Sequence, residues 1–248
     1  MTASFKNHFS GHAAAYAAAR PDYPTELFTW LAAMAPARGC AWDCATGNGQ
    51  AAQALAEHFE RIIATDASAE QIANAAPHPR VEYRVAPAAA PGLEPSSIDL
   101  VTVAQAVHWF DRPHFYDAAT QALRQEGLIA VWSYGLFTID PEMDAVIDGF
   151  YDHLIGPYWP PERKLIDEHY ATLYFPFAEI TPPEFVMVQT WTLAHVLAYL
   201  RTWSAVQRYQ RAKQHDPVDT IASEFTRLWD DAPHREVIWP LYLRAGYK

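Results

Sequence analysis

The sequence predicts an α/β fold in which a doubly wound, mostly parallel sheet is covered by an inserted helical cap. Between residues 39 and 134, short apolar runs alternate with amphipathic stretches of helical spacing, an order typical of parallel strands joined by helices. A loop with two glycines joins the first run to its helix. After Tyr134 the alternation ends, and the chain becomes rich in proline and aromatic residues. With 248 residues, 50% of them hydrophobic, the chain suits one domain with a sizeable insertion.

Composition and charge narrow the classes of partner. The formal net charge is −11 and no lysine or arginine cluster stands out, so we expect neither nucleic acid nor a membrane surface as a partner. The start of the sequence is polar and no run of about 18 apolar residues follows, which predicts a cytoplasmic protein. Cys40 and Cys44 have no further ligands at metal-site spacing, so no metal is expected. The sequence leaves the oligomeric state open.

Five strands and the helices between them are predicted in chain order. Ser68 and Gln71 form a capping box at the start of the helix after the second strand. Asp111 and Pro113 start the helix after the fourth strand, which runs through Arg124. The predicted strands are Gly39–Asp43, Arg61–Asp66, Val81–Val85, Ile98–Val103 and Gly127–Tyr134, and the first helix between them is Gly49–Phe59.

Beyond Tyr134 the sequence predicts a cap and the elements that complete the sheet. Pro240 interrupts the last expected strand, which indicates an edge strand or a bulge. The expected elements are a helix at Glu162–Leu173, a strand at Phe185–Trp191, helices at Leu193–Arg201 and Asp216–Trp229, and a closing strand at Glu236–Leu243. We expect four regions: an N-terminal arm and helix that cover the ligand site (1–35), the core that binds the ligand (36–135), the inserted aromatic-rich cap (136–182), and C-terminal strands and helices that complete the sheet and cap (183–248).

The loop after the first strand is typical of a nucleotide-cofactor site. Gly47 and Gly49 let a ligand approach the backbone, and the following helix offers unpaired N–H groups in its first turn. The run from Gly47 to Ala52 matches the dinucleotide pattern G-x-G-x-x-A, and Asp66 follows at about the spacing of a ribose-binding acid. These features alone are compatible with NAD.

The acid before the loop favours a different cofactor. An Asp43 carboxylate at the mouth of the loop would repel a pyrophosphate. It suits a ligand that carries an ammonium and a sulfonium group and no phosphate, such as S-adenosylmethionine. Asp66 would hold the ribose hydroxyls in either case. We therefore predict S-adenosylmethionine as the cofactor, with an NAD-dependent enzyme as the alternative.

These segments resemble the motifs of class I S-adenosylmethionine-dependent methyltransferases. Asp43, Gly47 and Gly49 match the acid and the glycines of the first motif, in which Ala45 replaces the usual first glycine. Asp66 matches the ribose-binding acid of the second motif. The resemblance implies a Rossmann-like sheet of seven strands, the last of them antiparallel and close to the C-terminus.

Three further segments are similar to one branch of this family in particular. The N-terminal arm, the Gln-Ala-x-His-Trp-Phe turn at 105–110 and the Trp-Pro-Leu-x-Leu-Arg segment at 239–244 are similar to the trans-aconitate methyltransferase-like branch of the type 11 methyltransferases. That branch implies methyl transfer to a small-molecule acceptor, a carboxylic acid or another oxygen nucleophile. An in-line displacement from a sulfonium requires alignment and exclusion of water, and it needs no metal.

The resemblance also implies the residues that contact the cofactor. Arg20 would bind the methionine carboxylate, and Tyr16 would cover the same moiety. Ala88 lies in the segment after the third strand, where backbone contact with the adenine is implied. The predicted cofactor-binding residues are Tyr16, Arg20, Asp43, Ala45, Gly47, Gly49, Asp66, Ala67, Ala88 and Gln105.

The acceptor side of the site is less defined. His108 is expected where the methyl group should point, and its ordinary pKa of about 6.5 suits a general base. The structural alternative is a histidine that only hydrogen-bonds the N-terminal arm. Trp109, Tyr134 and Trp203 are predicted to line the acceptor pocket. A non-catalytic module that binds the cofactor for regulation is the third hypothesis for the whole chain.

Overall fold

The computed structural model describes residues 20–248, and its elements are numbered over that range. The predicted arm up to residue 19, and Tyr16 with it, lies outside the described residues. The strands are β1 (Cys40–Cys44), β2 (Arg61–Asp66), β3 (Val81–Val85), β4 (Ile98–Ala104), β5 (Leu123–Tyr134), β6 (Ala178–Ile180), β7 (Phe185–Trp191) and β8 (Arg235–Tyr247). The α-helices are α1 (Thr25–Met34), α2 (Gln50–Ala56), α3 (Ala69–Ala73), α4 (Arg112–Ala122), α5 (Pro141–Gly149), α6 (Arg163–Asp167), α7 (Leu193–Arg201), α8 (Ser204–Lys213) and α9 (Asp219–Trp229).

The strands form one sheet in the order β3-β2-β1-β4-β5-β8-β6, with β7 also paired to β8. β1 to β5 are parallel, whereas β8 runs antiparallel to β5, β6 and β7. This arrangement confirms the doubly wound, mostly parallel fold. Over residues 20–248 the sheet has eight strands, because the three-residue β6 joins the seven that were expected.

The central strands are apolar because helices cover both of their faces. On one face, Leu100 and Trp132 pack with Leu31 of α1 and Leu55 of α2. On the opposite face, alternate residues of the same strands pack against α4 and the segment around α6. The packed helices leave the carboxyl ends of the five parallel strands as the common edge for a ligand.

Of the two alternatives predicted for Pro240, the edge strand is wrong, since β8 is an interior strand. Pro240 pairs with Val186 of β7, and its carbonyl oxygen accepts a hydrogen bond from Gly135 N at 3.3 Å. The nitrogen and oxygen of one strand residue face the same side, so the missing N–H of Pro240 faces the end of β5. The regular β5–β8 ladder ends beside it, at Tyr134 and Leu241, and the next bridge, between Thr138 and Ile238, is shifted by one residue. The proline therefore costs at most the one reciprocal bond to Gly135 at the end of the ladder.

The cap consists of residues between β5 and β6 together with α7, α8 and α9. The expected helix at Glu162–Leu173 is wrong in its length, because α6 ends at Asp167. His169 and Tyr170 have φ of 55° and 59°, and a right-handed helix does not continue through left-handed residues. Within residues 20–248 no helix combines the length and the apolar character that crossing a membrane requires.

Candidate active site

The loop between β1 and α2 turns sharply at the carboxyl edge of the sheet. Ala45, Gly47 and Gly49 have φ of 57°, 59° and 91°, all in the left-handed region. Asp66, at the end of β2, accepts hydrogen bonds from Gly47 N at 2.9 Å and from Ser68 N at 2.8 Å. Partial burial raises the pKa of the Asp66 carboxyl. The loop and the predicted ribose-binding acid are therefore held together as one unit.

Asp43 lies beneath this loop rather than on its surface. Its side chain is 1% exposed, and its two carboxylate oxygens accept hydrogen bonds from the hydroxyls of Thr46 (2.5 Å) and Thr102 (2.8 Å). Burial raises the pKa of Asp43 to about 6, against the opposite effect of the two hydroxyls. The carboxylate ties β1 to the loop and to β4, and its direct contact with a cofactor stays a prediction.

Gln105 follows β4 at the same edge in a strained conformation. Its φ is 57°, and its backbone N–H donates to the carbonyl of Trp132 at 2.9 Å. Among residues 20–248, its buried side-chain nitrogen Nε2 has no hydrogen-bond partner. A buried amide donor without an acceptor is costly, and backbone strain concentrates where a side chain must be aimed at a ligand. Gln105 is therefore poised to donate to a bound molecule.

A cavity of about 70 Å³ lies between this edge and the cap. Of the thirteen described residues that line it, six carry aromatic rings and two carry guanidinium groups. The structure brings six of the predicted site residues together here, namely Arg20, Gln105, His108, Trp109, Tyr134 and Trp203, and the cavity is also lined by Trp159, Arg163 and Tyr199. These side chains make the cavity suitable for a small anionic or polar molecule.

Arg20 enters the cavity at the point where the described chain begins. Its Nη1 atom donates a hydrogen bond to the hydroxyl of Tyr134 at 2.5 Å. The guanidinium also lies over the rings of Tyr134 and Tyr199, at 5.9 and 5.6 Å from their centroids. The cation predicted for the methionine carboxylate thus lies at the shared border of the cavity and the carboxyl edge.

His108 lies in a short 3-10 turn, Val107–Trp109, and its side chain is buried. Its Nδ1 atom is 2.8 Å from the hydroxyl oxygen of Tyr170, and its ring packs against Trp109 at 4.8 Å. Burial lowers the pKa of His108 to about 3, and the nearby Arg163 guanidinium acts in the same direction. The imidazole is therefore neutral at pH 7, and Nε2 is the ring nitrogen left for a ligand in the cavity.

Arg163 and Tyr170 are the site residues that the sequence prediction missed. Arg163 follows two prolines at the start of α6, and its Nε donates to the Tyr151 hydroxyl (2.7 Å) and to Asp167 Oδ1 (3.1 Å). The guanidinium stacks on Trp159 at 4.8 Å. The Trp-Pro-Pro-Glu-Arg run at 159–163 was a usable signal, because an aromatic ring beside a cation in a rigid turn often marks a binding surface.

The remaining predicted residues lie around the loop rather than in the cavity. Ala67 follows Asp66 directly. Ala88 is half-buried against the core, just after the turn in which Ala86 N donates to the carbonyl of Asp66 at 2.9 Å. Arg201, the last residue of α7, is not in the cavity wall and pairs with Asp216 at 2.5 Å and Asp219 at 3.0 Å.

The loop fits S-adenosylmethionine better than a dinucleotide. The Gly47 N–H already donates to Asp66, and the Asp43 carboxylate lies beneath the loop, so a pyrophosphate would lose a backbone donor and meet a negative charge there. A Cβ placed on Gly47 would meet only Oε1 of Gln71, at 4.0 Å, so that side of the loop is open to a ligand. Asp66 is available to ribose hydroxyls beside this opening, and the Gln105 amide and the Arg20 guanidinium lie at the same edge, where a methionine carboxylate needs donors.

Comparison with known proteins agrees with this assignment. The family described as a methyltransferase domain, type 11, matches residues 42–131. A Dictyostelium discoideum protein named as a methyltransferase is 31% identical over 252 residues, which cover 98% of this chain and 96% of that protein. The solved structure of a type II methyltransferase from Anaeromyxobacter dehalogenans is 44% identical, with a TM-score of 0.87, and the match covers 92% of this chain and 97% of that chain.

A more distant structure shares the fold alone. Phosphoethanolamine N-methyltransferase 2 from Haemonchus contortus, in complex with S-adenosyl-L-methionine, is 17% identical with a TM-score of 0.52, over 98% of this chain and 58% of that one. The identity and coverage of the nearer relatives decide between the two candidate cofactors. The chain belongs to the class I S-adenosylmethionine-dependent methyltransferases, with a type 11 methyltransferase domain, and S-adenosylmethionine rather than NAD is its cofactor.

Proposed function

We propose that this enzyme methylates a carboxylate oxygen of a small carboxylic acid, as the resemblance to the trans-aconitate methyltransferase-like branch implies. The observation that carries the proposal is the guanidinium of Arg163 in the wall of the cavity. A carboxylate is already ionised at neutral pH, so it needs a cation to bind it and no general base.

Arg163 is arranged to receive a planar anion. Its Nε is engaged by Tyr151 and Asp167, and stacking on Trp159 fixes the plane of the guanidinium. Among residues 20–248, no hydrogen-bond partner is found for its two terminal nitrogens, and its side chain is 19% exposed. A guanidinium held by one edge presents its terminal N–H groups as a fork, the geometry that matches a carboxylate.

The other side chains of the site supply alignment and exclusion of water. Arg20 and Gln105 would bind the carboxylate of the methionine moiety, with Tyr16 covering it. Asp66 would hold the ribose, and the backbone at Gly47, Gly49, Ala67 and Ala88 would contact the adenosine. When bound, S-adenosylmethionine supplies an electrophilic methyl group on a sulfonium.

The chemistry on the acceptor side needs no proton transfer. The carboxylate oxygen forms a bond to the methyl carbon while the carbon–sulfur bond breaks and its electron pair stays on sulfur. The products are a methyl ester and S-adenosylhomocysteine. The aromatic walls formed by Trp109, Trp159 and Trp203 would exclude water from the reacting atoms.

The test is a methyl-transfer assay over size-matched carboxylic acids, phenols and amines. We expect acids to be the best acceptors, with products that mild alkali hydrolyses, since esters are labile to base and N-methyl amines and aryl methyl ethers are not. Preferred turnover of amines or phenols would overturn the proposal.

Substitutions at two residues of α6 test whether Arg163 is responsible for the preference for acids. Arg163→Gln should raise the KM for the acid about tenfold to a hundredfold, the worth of a hydrogen-bonded charge, while calorimetry shows unchanged binding of S-adenosylhomocysteine. Arg163→Lys should recover only part of the loss, because lysine lacks the fork. Lys164→Gln removes a charge from the exposed neighbouring side chain and is the matched control. An equal effect in both glutamine variants would contradict a specific role for Arg163.

A further inference from the structure

We propose that Tyr170 is a positioning residue whose hydroxyl donates to Nδ1 of His108 and thereby keeps the imidazole proton on Nε2. His108 then acts as a hydrogen-bond donor to the acceptor in the cavity and not as a general base. The identity of that acceptor rests on the proposed function, whereas the tautomer of His108 does not.

The contact between the two side chains is buried and well formed. Tyr170 is fully buried, His108 is 4% exposed, and Oη lies 2.8 Å from Nδ1. Burial raises the pKa of Tyr170 far above its usual range, so the phenol keeps its proton. Among residues 20–248, Nδ1 of His108 is the one acceptor found within hydrogen-bond distance of Oη, and the buried hydroxyl of Ser133 has no partner. A phenol that keeps its proton therefore donates it to Nδ1.

The backbone that presents Tyr170 is strained. His169 and Tyr170 both have left-handed φ, of 55° and 59°, a conformation that is unfavourable for residues other than glycine. Strain of this kind persists where the surrounding structure holds it, and it concentrates at functional sites. Other contacts must therefore hold the turn in this conformation. The strain is also consistent with a functional role for the side chain of Tyr170.

Two residues of β8 hold this turn. His169 stacks on the ring of Tyr242 with centroids 3.7 Å apart and an interplanar angle of 16°. Arg244 donates a hydrogen bond to the carbonyl of Tyr170 at 3.0 Å and another to the carbonyl of Leu173. Both β8 residues belong to the Trp-Pro-Leu-x-Leu-Arg segment, so that segment supports the turn that orients the histidine of the Gln-Ala-x-His-Trp-Phe segment.

This assignment matches the chemistry of the cavity. A neutral imidazole with its proton on Nε2 offers one N–H to an acceptor oxygen and has no lone pair on the nitrogen that faces the cavity. Such a group can orient a carboxylate beside the Arg163 fork, and it cannot remove a proton from an amine or a phenol. His108 and Arg163 would therefore act on the same anion.

The first test reads the tautomer without any acceptor. Two-bond proton–nitrogen correlation spectra of the enzyme with labelled histidine, in complex with S-adenosylhomocysteine, should show His108 protonated on Nε2. In Tyr170→Phe, which keeps the ring but removes the hydroxyl, the His108 signals should shift toward a mixture of tautomers. Tyr174→Phe removes a hydroxyl from an exposed tyrosine of the same segment and should leave the spectrum unchanged. A wild-type His108 protonated on Nδ1 overturns the proposal.

The second test separates a donor from a base. His108→Gln places an N–H donor near the position of Nε2 and has no titratable group, whereas His108→Asn reaches only about as far as Nδ1. We expect the glutamine variant to keep at least about a fifth of the wild-type kcat/KM, and the asparagine variant to fall at least tenfold lower than the glutamine variant. Tyr170→Phe should lose about fivefold, the worth of one neutral hydrogen bond.

The two proposals fail in different ways. If glutamine and asparagine variants are equally inactive and the wild type shows a solvent isotope effect on kcat, His108 is a base and the positioning proposal is wrong. If the wild type methylates no carboxylic acid, the proposed function is wrong, and the nitrogen spectra still decide the tautomer. Unchanged binding of S-adenosylhomocysteine in each variant shows that the fold and the cofactor site are intact.

Discussion

The ring of Tyr83 fills the space that a side chain at position 49 would need. An ideal Cβ on Gly49 would lie 2.8 Å from Cε1 and 2.9 Å from Cζ of Tyr83, and still closer to its hydroxyl oxygen. Gly49 also has φ of 91°. Two separate restrictions, one steric and one on the backbone, therefore require glycine where the loop enters α2.

Replacing Gly49 by alanine tests these two restrictions. Gly49→Ala should lower the free energy of unfolding by about 2–3 kcal/mol, from backbone strain and displacement of Tyr83, and weaken binding of S-adenosylhomocysteine. Gly92→Ala is the matched control, because Gly92 has φ of 66° with nothing near a new Cβ, and it should cost only about 1 kcal/mol. Urea unfolding and calorimetry give both quantities. Equal losses in the two variants would show that the Tyr83 contact is unimportant.

At Ala45 the reverse substitution, alanine to glycine, is expected to stabilise the protein. It holds a left-handed φ of 57° without being glycine, which costs an alanine about 1–2 kcal/mol, while glycine adds about 0.4–1 kcal/mol of unfolded-state entropy. Ala45→Gly should therefore raise the free energy of unfolding by about 0.5–1 kcal/mol. Ala52→Gly, a buried helical position, should lower it by at least about 1 kcal/mol. A destabilised Ala45→Gly protein would show that the left-handed turn carries no strain.

Asp43 should make the stability depend on pH in an unusual direction. Because burial raises its pKa to about 6, the folded state binds its proton more tightly than the unfolded state, whose pKa is about 3.9. The contribution of this group to stability is complete below about pH 4 and is lost as the pH rises to about 6, by about 3 kcal/mol in all.

Asparagine at position 43 removes this titration. Between about pH 4 and pH 7, the unfolding free energy of the wild type should fall by about 3 kcal/mol more than that of Asp43→Asn. Urea unfolding at several pH values gives the comparison, and Asp117→Asn, on the exposed part of α4, controls for the loss of a carboxylate. Parallel curves for the wild type and Asp43→Asn would mean that Asp43 ionises in the folded protein as it does in the unfolded chain.

Asp66 connects the loop to the cofactor. Asp66→Ala removes the acceptor for the amides of Gly47 and Ser68 as well as the expected partner of the ribose hydroxyls. Calorimetry should show at least a tenfold loss of affinity for S-adenosylhomocysteine, corresponding to hydrogen bonds to one charged group. Glu70→Ala removes an exposed carboxylate from α3 and should bind normally. An unchanged affinity in Asp66→Ala would remove Asp66 from the cofactor site.

The sequence was sufficient for the order of the five parallel strands along the chain, and local patterns explain why. Strand periods and helix starts depend on neighbouring residues, as at Ser68, whose hydroxyl accepts from Gln71 N at 3.3 Å. This is one half of the predicted capping box, since the Ser68 N–H donates to Asp66 and not to Gln71. Pro240 was misjudged because its effect depends on which side of the strand its nitrogen faces. The side is decided by how β8 pairs with β5, and the residues around Pro240 do not reveal that pairing.

The site was predictable only in part, for the same reason. Gln105 and His108 follow β4 and Tyr134 ends β5, and the carboxyl ends of these strands meet at one edge, so the proximity of the three residues could be inferred. The contact of His108 with Tyr170 joins residues 62 positions apart, through a turn that the helical spacing of residues 162–173 concealed. Asp43 was identified by residue type and spacing, but its burial beneath the loop depends on Thr102 of another strand.

The pairing of β6 and β7 affects how the chain folds during its synthesis. Among the described residues, both strands pair with β8 alone, although they precede it by more than 40 residues. During synthesis on the ribosome, β1 to β5 can pair with one another as they emerge, while β6 and β7 must wait for β8. Val186 and Val188 of β7 are about half exposed even in the folded chain. Until β8 is made, β7 is therefore an unpaired apolar strand of the kind that chaperones bind and that is prone to aggregation.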